Sequence, residues 1–272
     1  PLEEADENKR ISILFEGVAI HATVYVNGCL MKHNFCGYTS FEVDITDVAR
    51  FGEENVVSVY INNKQHEGWW YEGAGIYRHV HLIKSELISV DLWGVFACPE
   101  HIEDKAWRVA TETTVRNDDF SRRRVRIKGE ILTETRELAA ISEASGIIDC
   151  KQKRMFRYSF DVTDPKLWSP DTPVRYTMRT TVYSGEKVVD VNEVKFGFRT
   201  FYMDPDKGLF INGKHYKIKG MCGHENNGLT GKAVPDNIQR YRVQKMKEMG
   251  ANGYRCSHYP QSEALMEALD EA

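Results

Sequence analysis

The chain contains no apolar run approaching the roughly 20 residues needed to cross a bilayer. It also has no charge of one dominant sign: 36 Lys and Arg stand against 40 Asp and Glu, a formal net charge of -4. That balance gives no footprint of a nucleic-acid or membrane-surface binder. The six cysteines form no CxxC pair and show no zinc-ligand spacing, so no metal site is indicated. Scattered thiols of this kind predict reduced, mostly buried cysteines and a reducing, cytoplasmic location. The opening PLEEADENKR is acidic and polar, unlike a signal peptide. GxSxG, HExxH and phosphate-binding glycine loops are all absent. The GAG at 73–75 lacks the strand and helix that flank a dinucleotide site. No cofactor is expected.

What is present reads as a globular protein. Its 272 residues, 42% hydrophobic and 28% charged, suit two or three domains. In the first 85 residues, Ile11, Ile13 and Phe15 alternate with polar neighbours, as a half-buried strand should. Phe41, Val43 and Ile45 alternate in the same way, as do Val57, Val59 and Ile61. Asn27-Gly28 between apolar runs is a strong hairpin signal. Short strands at regular spacing predict a sandwich. Near residue 70 the texture changes. Gly68, Gly73 and Gly75 are interleaved with Trp69, Trp70, Tyr71 and Tyr77, which suits either sugar stacking or packing on a neighbouring domain.

Residues 86–200 are again β-rich. Trp107, Val109, Thr111, Thr113 and Val115 form one alternating run, closed by the turn residues 117–119. Residues 122–132 and 155–162 supply further strands. The prolines at 165, 170 and 173 exclude a central strand until Val174. Roughly seven short strands predict an immunoglobulin-like sandwich. The arginines of RNDDFSRRRVRIK sit beside acids and read as a solvated face.

Residues 201–272 change period. Asn212-Gly213 predicts a tight hairpin whose second arm continues as a buried strand over 216–221. Val234-Pro235-Asp236 starts a helix, and Gly250 stops it. Ile238, Tyr241, Met246 and Met249 are expected on its inner face. A second strand and a second helix with Leu265 and Leu269 inside follow. Strand, helix, strand implies a right-handed parallel crossover. The clusters Gly223-His224-Glu225-Asn226 and Arg255-Cys256-Ser257-His258-Tyr259 then share one sheet edge. Imidazole and guanidinium groups there can donate hydrogen bonds to hydroxyls or to charge developing on a ring. They can equally serve as satisfied residues that hold loops.

Several motifs, in this order, resemble glycoside hydrolase family 2. VYVNG and GYTSFEVDIT are similar to its sugar-binding domain, and GAGIYRHV to that domain's closing signature. LWSPDTP and KFGFRTF resemble its immunoglobulin-like domain and exit. INGKHYKIKGMCGHEN and YRCSHYP resemble the opening of its catalytic barrel. The resemblance implies a mainly β fold: a partial jelly-roll sandwich (1–85), an immunoglobulin-like β-sandwich (86–200) and the first two β/α units of a TIM barrel (201–272). It implies retaining hydrolysis of terminal β-linked sugars by two glutamates about 5 Å apart. Family members supply both from later barrel strands, so no catalytic residue is assigned within this chain, which alone is expected to be inactive. Family members also carry more chain before residues 15–17, so the first jelly-roll strands are expected outside these residues.

By the same resemblance His224 and His258 hydrogen-bond the sugar, Arg255 supports it, and Glu225 orients the histidine beside it. β-Galactosidase is the first expectation; β-glucuronidase, β-mannosidase or a non-catalytic carbohydrate-binding module are the alternatives. The implied partner is a carbohydrate, and a homo-oligomer is compatible. Trp69-Trp70 stand where some β-galactosidases place an aspartate reaching sugar and sodium, which argues against a sodium site. A barrel of only two units leaves open edges, so residues 201–272 are expected to pack on the immunoglobulin-like domain, on a neighbouring copy, or to be poorly ordered.

Overall fold

A computed structural model describes residues 2–64 and 73–272. Gly68, Trp69, Trp70 and Tyr71, and with them the readings of sugar stacking and of sodium, lie outside the described residues. The chain divides into two compact units, Pro1–Lys84 with Ile218–Ala272, and Ser85–Lys217.

The first unit opens with strands β1 (Arg10–Phe15), β2 (Val18–Ala19), β3 (His21–Val26), β4 (Cys29–Asn34), β5 (Phe41–Asp44), β6 (Val57–Asn62), β7 (Gly75–Ile76) and β8 (Val80–Ser85). They form sheets of order β5-β1-β8 and β4-β3-β6, with β2 and β7 paired. Ile11, Ile13 and Phe15 meet Val24, Val26, Phe41 and Val43 in one core. Asn27 and Gly28 turn β3 into β4 with positive φ at both, 52° and 85°, as a type I′ turn requires. One expectation is corrected here: β1 is buried on both faces. Arg10 and Ser12 both donate to the Glu42 carboxylate at 2.7 Å, so the polar residues of β1 are satisfied inside.

The second unit contains β9 (Ile88–Glu103), β10 (Ala106–Asn117), β11 (Arg123–Leu132), β12 (Leu138–Ile148), β13 (Gln152–Thr163), β14 (Tyr176–Ser184) and β15 (Lys187–Phe196). Sheets β13-β10-β9 and β12-β11-β14-β15 enclose the core, an immunoglobulin-like sandwich. The strands run from 9 to 16 residues, longer than expected. Trp107, Val109, Thr111, Thr113 and Val115 all point inward. The basic run is paired with acids, Arg123 on its neighbour Asp119 and Arg126 on Glu143 of β12. Strands β16 (Phe201–Asp204), β17 (Gly208–Ile211) and β18 (Lys214–His215) make a small sheet in this unit, with the Asn212-Gly213 turn between the last two.

The first unit is completed by β19 (Gly220–Gly223), α1 (Asp236–Glu248), β20 (Gly253–Cys256) and α2 (Glu263–Glu271). Residues 218–272 therefore group with the N-terminal sandwich, a correction to the packing expected, while residues 201–217 group with the immunoglobulin-like sandwich as expected. The strand foreseen over 216–221 is only β19, and it is largely exposed. β19 and β20 are parallel, as the crossover demands. Helix α1 ends in a Schellman motif: Gly250 (φ 84°) donates to Lys247 O and Ala251 to Met246 O. Its buried residues are Gln239 and Val243; of the four expected inside, Ile238 and Met246 are half-buried, while Tyr241 and Met249 are 57% and 67% exposed. A hydrophobic stripe misled here because the inner position is filled by a glutamine that finds a buried carboxylate. Val243 packs with Leu265 and Ala268 of α2.

All six cysteines are free and none is buried. The expectation of buried thiols fails because Cys29 lies on the outer face beside a turn, and Cys222 and Cys256 lie on exposed strands.

Candidate functional site

Parallel pairing sets the geometry. Cys222 lies opposite Arg255 and Gly223 opposite Cys256. Ser257 N then donates to Gly223 O at 3.2 Å, carrying the pairing one residue further. A side chain at Gly223 would run into the Tyr254 phenol, which would have to move aside. The next residues along both strands, His224 and His258, leave the sheet at the same edge. Their rings meet edge to face with centroids 4.9 Å apart. His258 is exposed and His224 half-buried. Desolvation, then the charges of Arg255 and His224, lowers the His258 pKa below the usual histidine value, favouring a neutral ring. Arg255 is exposed and donates to Ser257 Oγ at 3.0 Å.

Glu225 has a different place. It is 2% exposed, and its carboxylate pairs with Arg78, which is also buried. Its Oε1 accepts from Ser262 N at 2.9 Å, at the start of α2, and from Gln239 Nε2 of α1 at 3.4 Å. Its own N–H donates to the Tyr259 hydroxyl at 3.1 Å. Arg78 donates as well to Pro260 O at 2.6 Å. Glu225 thus joins five segments and is closed off from solvent, whereas Arg255 and His258 are exposed and His224 is half-buried.

The neighbouring loop is held by Lys232, only 4% exposed. Its ammonium lies 3.6, 4.4 and 4.8 Å from the ring centroids of Tyr38, Tyr259 and Tyr77. Tyr38 and Tyr259 are themselves stacked at 4.4 Å. A cation against ring faces is favourable, more so when desolvated. Burial raises the Tyr77 pKa, keeping its phenol protonated to donate to Gly37 O at 2.7 Å.

The four residues expected from sequence lie close together, but their supports Arg78, Tyr38 and Lys232 go unrecognised there, and Tyr259 is noted only as a member of its cluster. Three of these lie inside the motifs GYTSFEVDIT, GAGIYRHV and YRCSHYP. Lys232 carries no local signal, since its burial is a tertiary fact. Among the described residues, no group of three or more His, Cys, Asp or Glu is placed to hold a metal ion.

A β-sandwich, an immunoglobulin-like sandwich and parallel β/α units in this order define a sandwich-and-barrel architecture. Three models of one family match it in succession: glycosyl hydrolases family 2, sugar binding domain, over residues 2–86, glycosyl hydrolases family 2 over 90–199, and that family's TIM barrel domain over 205–272. The chain belongs to glycosyl hydrolases family 2. It is 34% identical to a β-galactosidase of Bacteroides ovatus, over 99% of this chain and 32% of the relative. It is 28% identical to a β-glucuronidase of Formosa agariphila, over 99% of this chain and 30% of that one. A solved family 2 member from Bacteroides cellulosilyticus superposes with a TM-score of 0.94 at 31% identity, covering 99% of this chain and 37% of the other. The chain spans about a third of the length of the curated relatives it matches.

Proposed function

We propose that this chain forms the sugar-binding side of a retaining exo-β-glycosidase that hydrolyses terminal β-linked sugars, with a β-galactoside as first substrate. The observation that carries this is the pair His224 and His258, presented with Arg255 at the shared edge of two parallel strands. A neutral His258 can donate or accept a hydrogen bond to a sugar hydroxyl, and His224 beside it offers a second. Glu225 orients His224 by fixing the backbone next to it.

The acid/base and nucleophile of retaining chemistry are two carboxylates about 5 Å apart. In this reading neither belongs to the described edge, where the one buried carboxylate is already bound by Arg78. The 272 residues alone are accordingly expected to bind sugar weakly and to hydrolyse nothing. The β-galactosidase named among the relatives at 34% identity supports galactose. A solved β-glucuronidase of Bacteroides uniformis, superposing with a TM-score of 0.94 at 28% identity, supports glucuronide as the second reading. The free thiols fit a reducing compartment.

A panel of chromogenic β-glycosides tests this, offered to a longer polypeptide that carries this chain and to the chain alone. Galactoside cleavage by the longer polypeptide only is the expected result. Glucuronide cleavage would change the sugar and keep the mechanism. Turnover by the purified 272 residues would overturn the assignment of the carboxylates.

A further inference from the structure

We infer that Arg78 and Tyr38 are positioning residues: the N-terminal sandwich sets the two histidines in place by gripping the residue that follows each of them. The inference rests on the functional reading above and adds to it a source of alignment outside the barrel segment.

Each histidine is followed in sequence by an anchored residue. Glu225 follows His224, and its carboxylate is bound by Arg78, which the sandwich supplies beside β7. Tyr259 follows His258, and its ring stacks at 4.4 Å on Tyr38 of the sandwich, with the Lys232 ammonium 4.4 Å from it. The two anchors are joined, because Glu225 N donates to the Tyr259 hydroxyl. Arg78 reaches both sides, through the Glu225 carboxylate and through Pro260 O. Both bonds leave from Nη2, whose two hydrogens lie in fixed directions in the guanidinium plane, whereas an ammonium rotates freely on its stem. The histidines themselves lie just beyond the ends of two short strands, each of only four residues. The sandwich adds a constraint from outside that sheet.

The geometry separates positioning from contact. Arg78 and Glu225 are buried and point at each other, so neither touches a sugar at this edge. Loss of these two bonds would let the 257–260 segment move relative to residue 224. A shift of about 1 Å in a binding group costs up to about a hundredfold in rate.

The test uses the 272-residue chain with 13C-labelled histidine, in wild type, Arg78→Lys and Tyr38→Leu forms. Neither variant strips all positive charge from the buried carboxylate, so both are expected to fold, checked by cooperative unfolding. The expected result is displaced His224 and His258 resonances in both variants, with His33 and His101 unmoved. Unmoved His224 and His258 resonances in folded variants would overturn the inference.

In a glycosidase containing the chain, kcat/KM should fall about tenfold or more for Arg78→Met and less for Arg78→Lys. Equal losses for both, or none, would also overturn it. If the wild type hydrolyses no β-glycoside, the functional reading fails alone, because the resonance test still decides whether the sandwich positions the histidines.

Discussion

At the residue scale, two asparagines show how a turn signal hides a second role. Asn27 and Asn212 both precede glycine, and both adopt positive φ in tight hairpins. Each also spends its side chain elsewhere. Asn27 Nδ2 donates to Val48 O at 2.7 Å while its Oδ1 accepts from Val56 N at 2.9 Å. Asn212 repeats the pattern with Trp168 O at 3.0 Å and Thr200 N at 2.9 Å. Replacing Asn27 by Gly keeps the turn and removes these bonds. Stability should fall by about 1–3 kcal/mol, since a backbone donor and acceptor lose partners. Urea unfolding measures this, and a change under about 0.5 kcal/mol would refute it.

At the same scale, neutralising Arg255 as Arg255→Met should raise the His258 pKa toward its ordinary value, because one of the two positive neighbours is gone. Titration of the imidazole resonance gives the direction. The turn was legible because it is local chemistry. The carboxylate of Glu225 was legible only as an acid beside a histidine. Its buried partner Arg78 lies 147 residues away, and no local pattern reports that.

At the scale of elements, periodicity located helix α1 and its glycine stop but only part of its inner face. Met249 and Tyr241 follow a hydrophobic stripe and face outward, while Gln239 and Val243, four residues apart, face inward. Val243→Ala should destabilise the first unit by about 1.5–2.5 kcal/mol, the burial of two methyl-sized groups plus a small cavity. Tyr241→Ala should stay within about 0.5 kcal/mol. Comparable losses at the two positions would contradict the assigned face.

The start of α1 also carries a pH-dependent link. His79 Nε2 lies 3.0 Å from both Asp236 oxygens, in the helix's first turn, and this hydrogen bond raises the histidine pKa. A raised folded value means the stabilisation is complete below the ordinary histidine pKa of about 6.5 and is lost as pH rises through the raised value. Wild type should therefore exceed His79→Gln in Tm at about pH 6 and match it at about pH 9. An advantage that persists at high pH would place the contribution elsewhere.

At the scale of the whole molecule, the two-sandwich architecture and the parallel β/α units were legible, because alternation, turn residues and motif order are properties of sequence. Which pieces form one body was not. Residues 218–272 follow the immunoglobulin-like sandwich in the chain yet belong with the first 84 residues. The reason is chemical: the anchors Arg78, Tyr38 and Tyr77 stand in the N-terminal sandwich, opposite Glu225, Tyr259 and Lys232. Native-state hydrogen exchange should accordingly show β19, α1 and β20 losing protection together with β1 and β5, and separately from β10 and β11. Loss of β19 and β20 protection in step with β10 would contradict that division.

His224 and His258, held by the sandwich, are proposed to bind the sugar. The most direct measurement is kcat/KM for an aryl β-galactoside, or an aryl β-glucuronide if that is the substrate cleaved, in a glycosidase carrying this chain, for wild type and His258→Ala. Loss of a hydrogen bond to a reacting sugar, with its partner left unpaired, predicts a fall of about tenfold to a hundredfold with unchanged unfolding. An unchanged kcat/KM in the folded variant would contradict the account and return His258 to a residue that only shapes its loop.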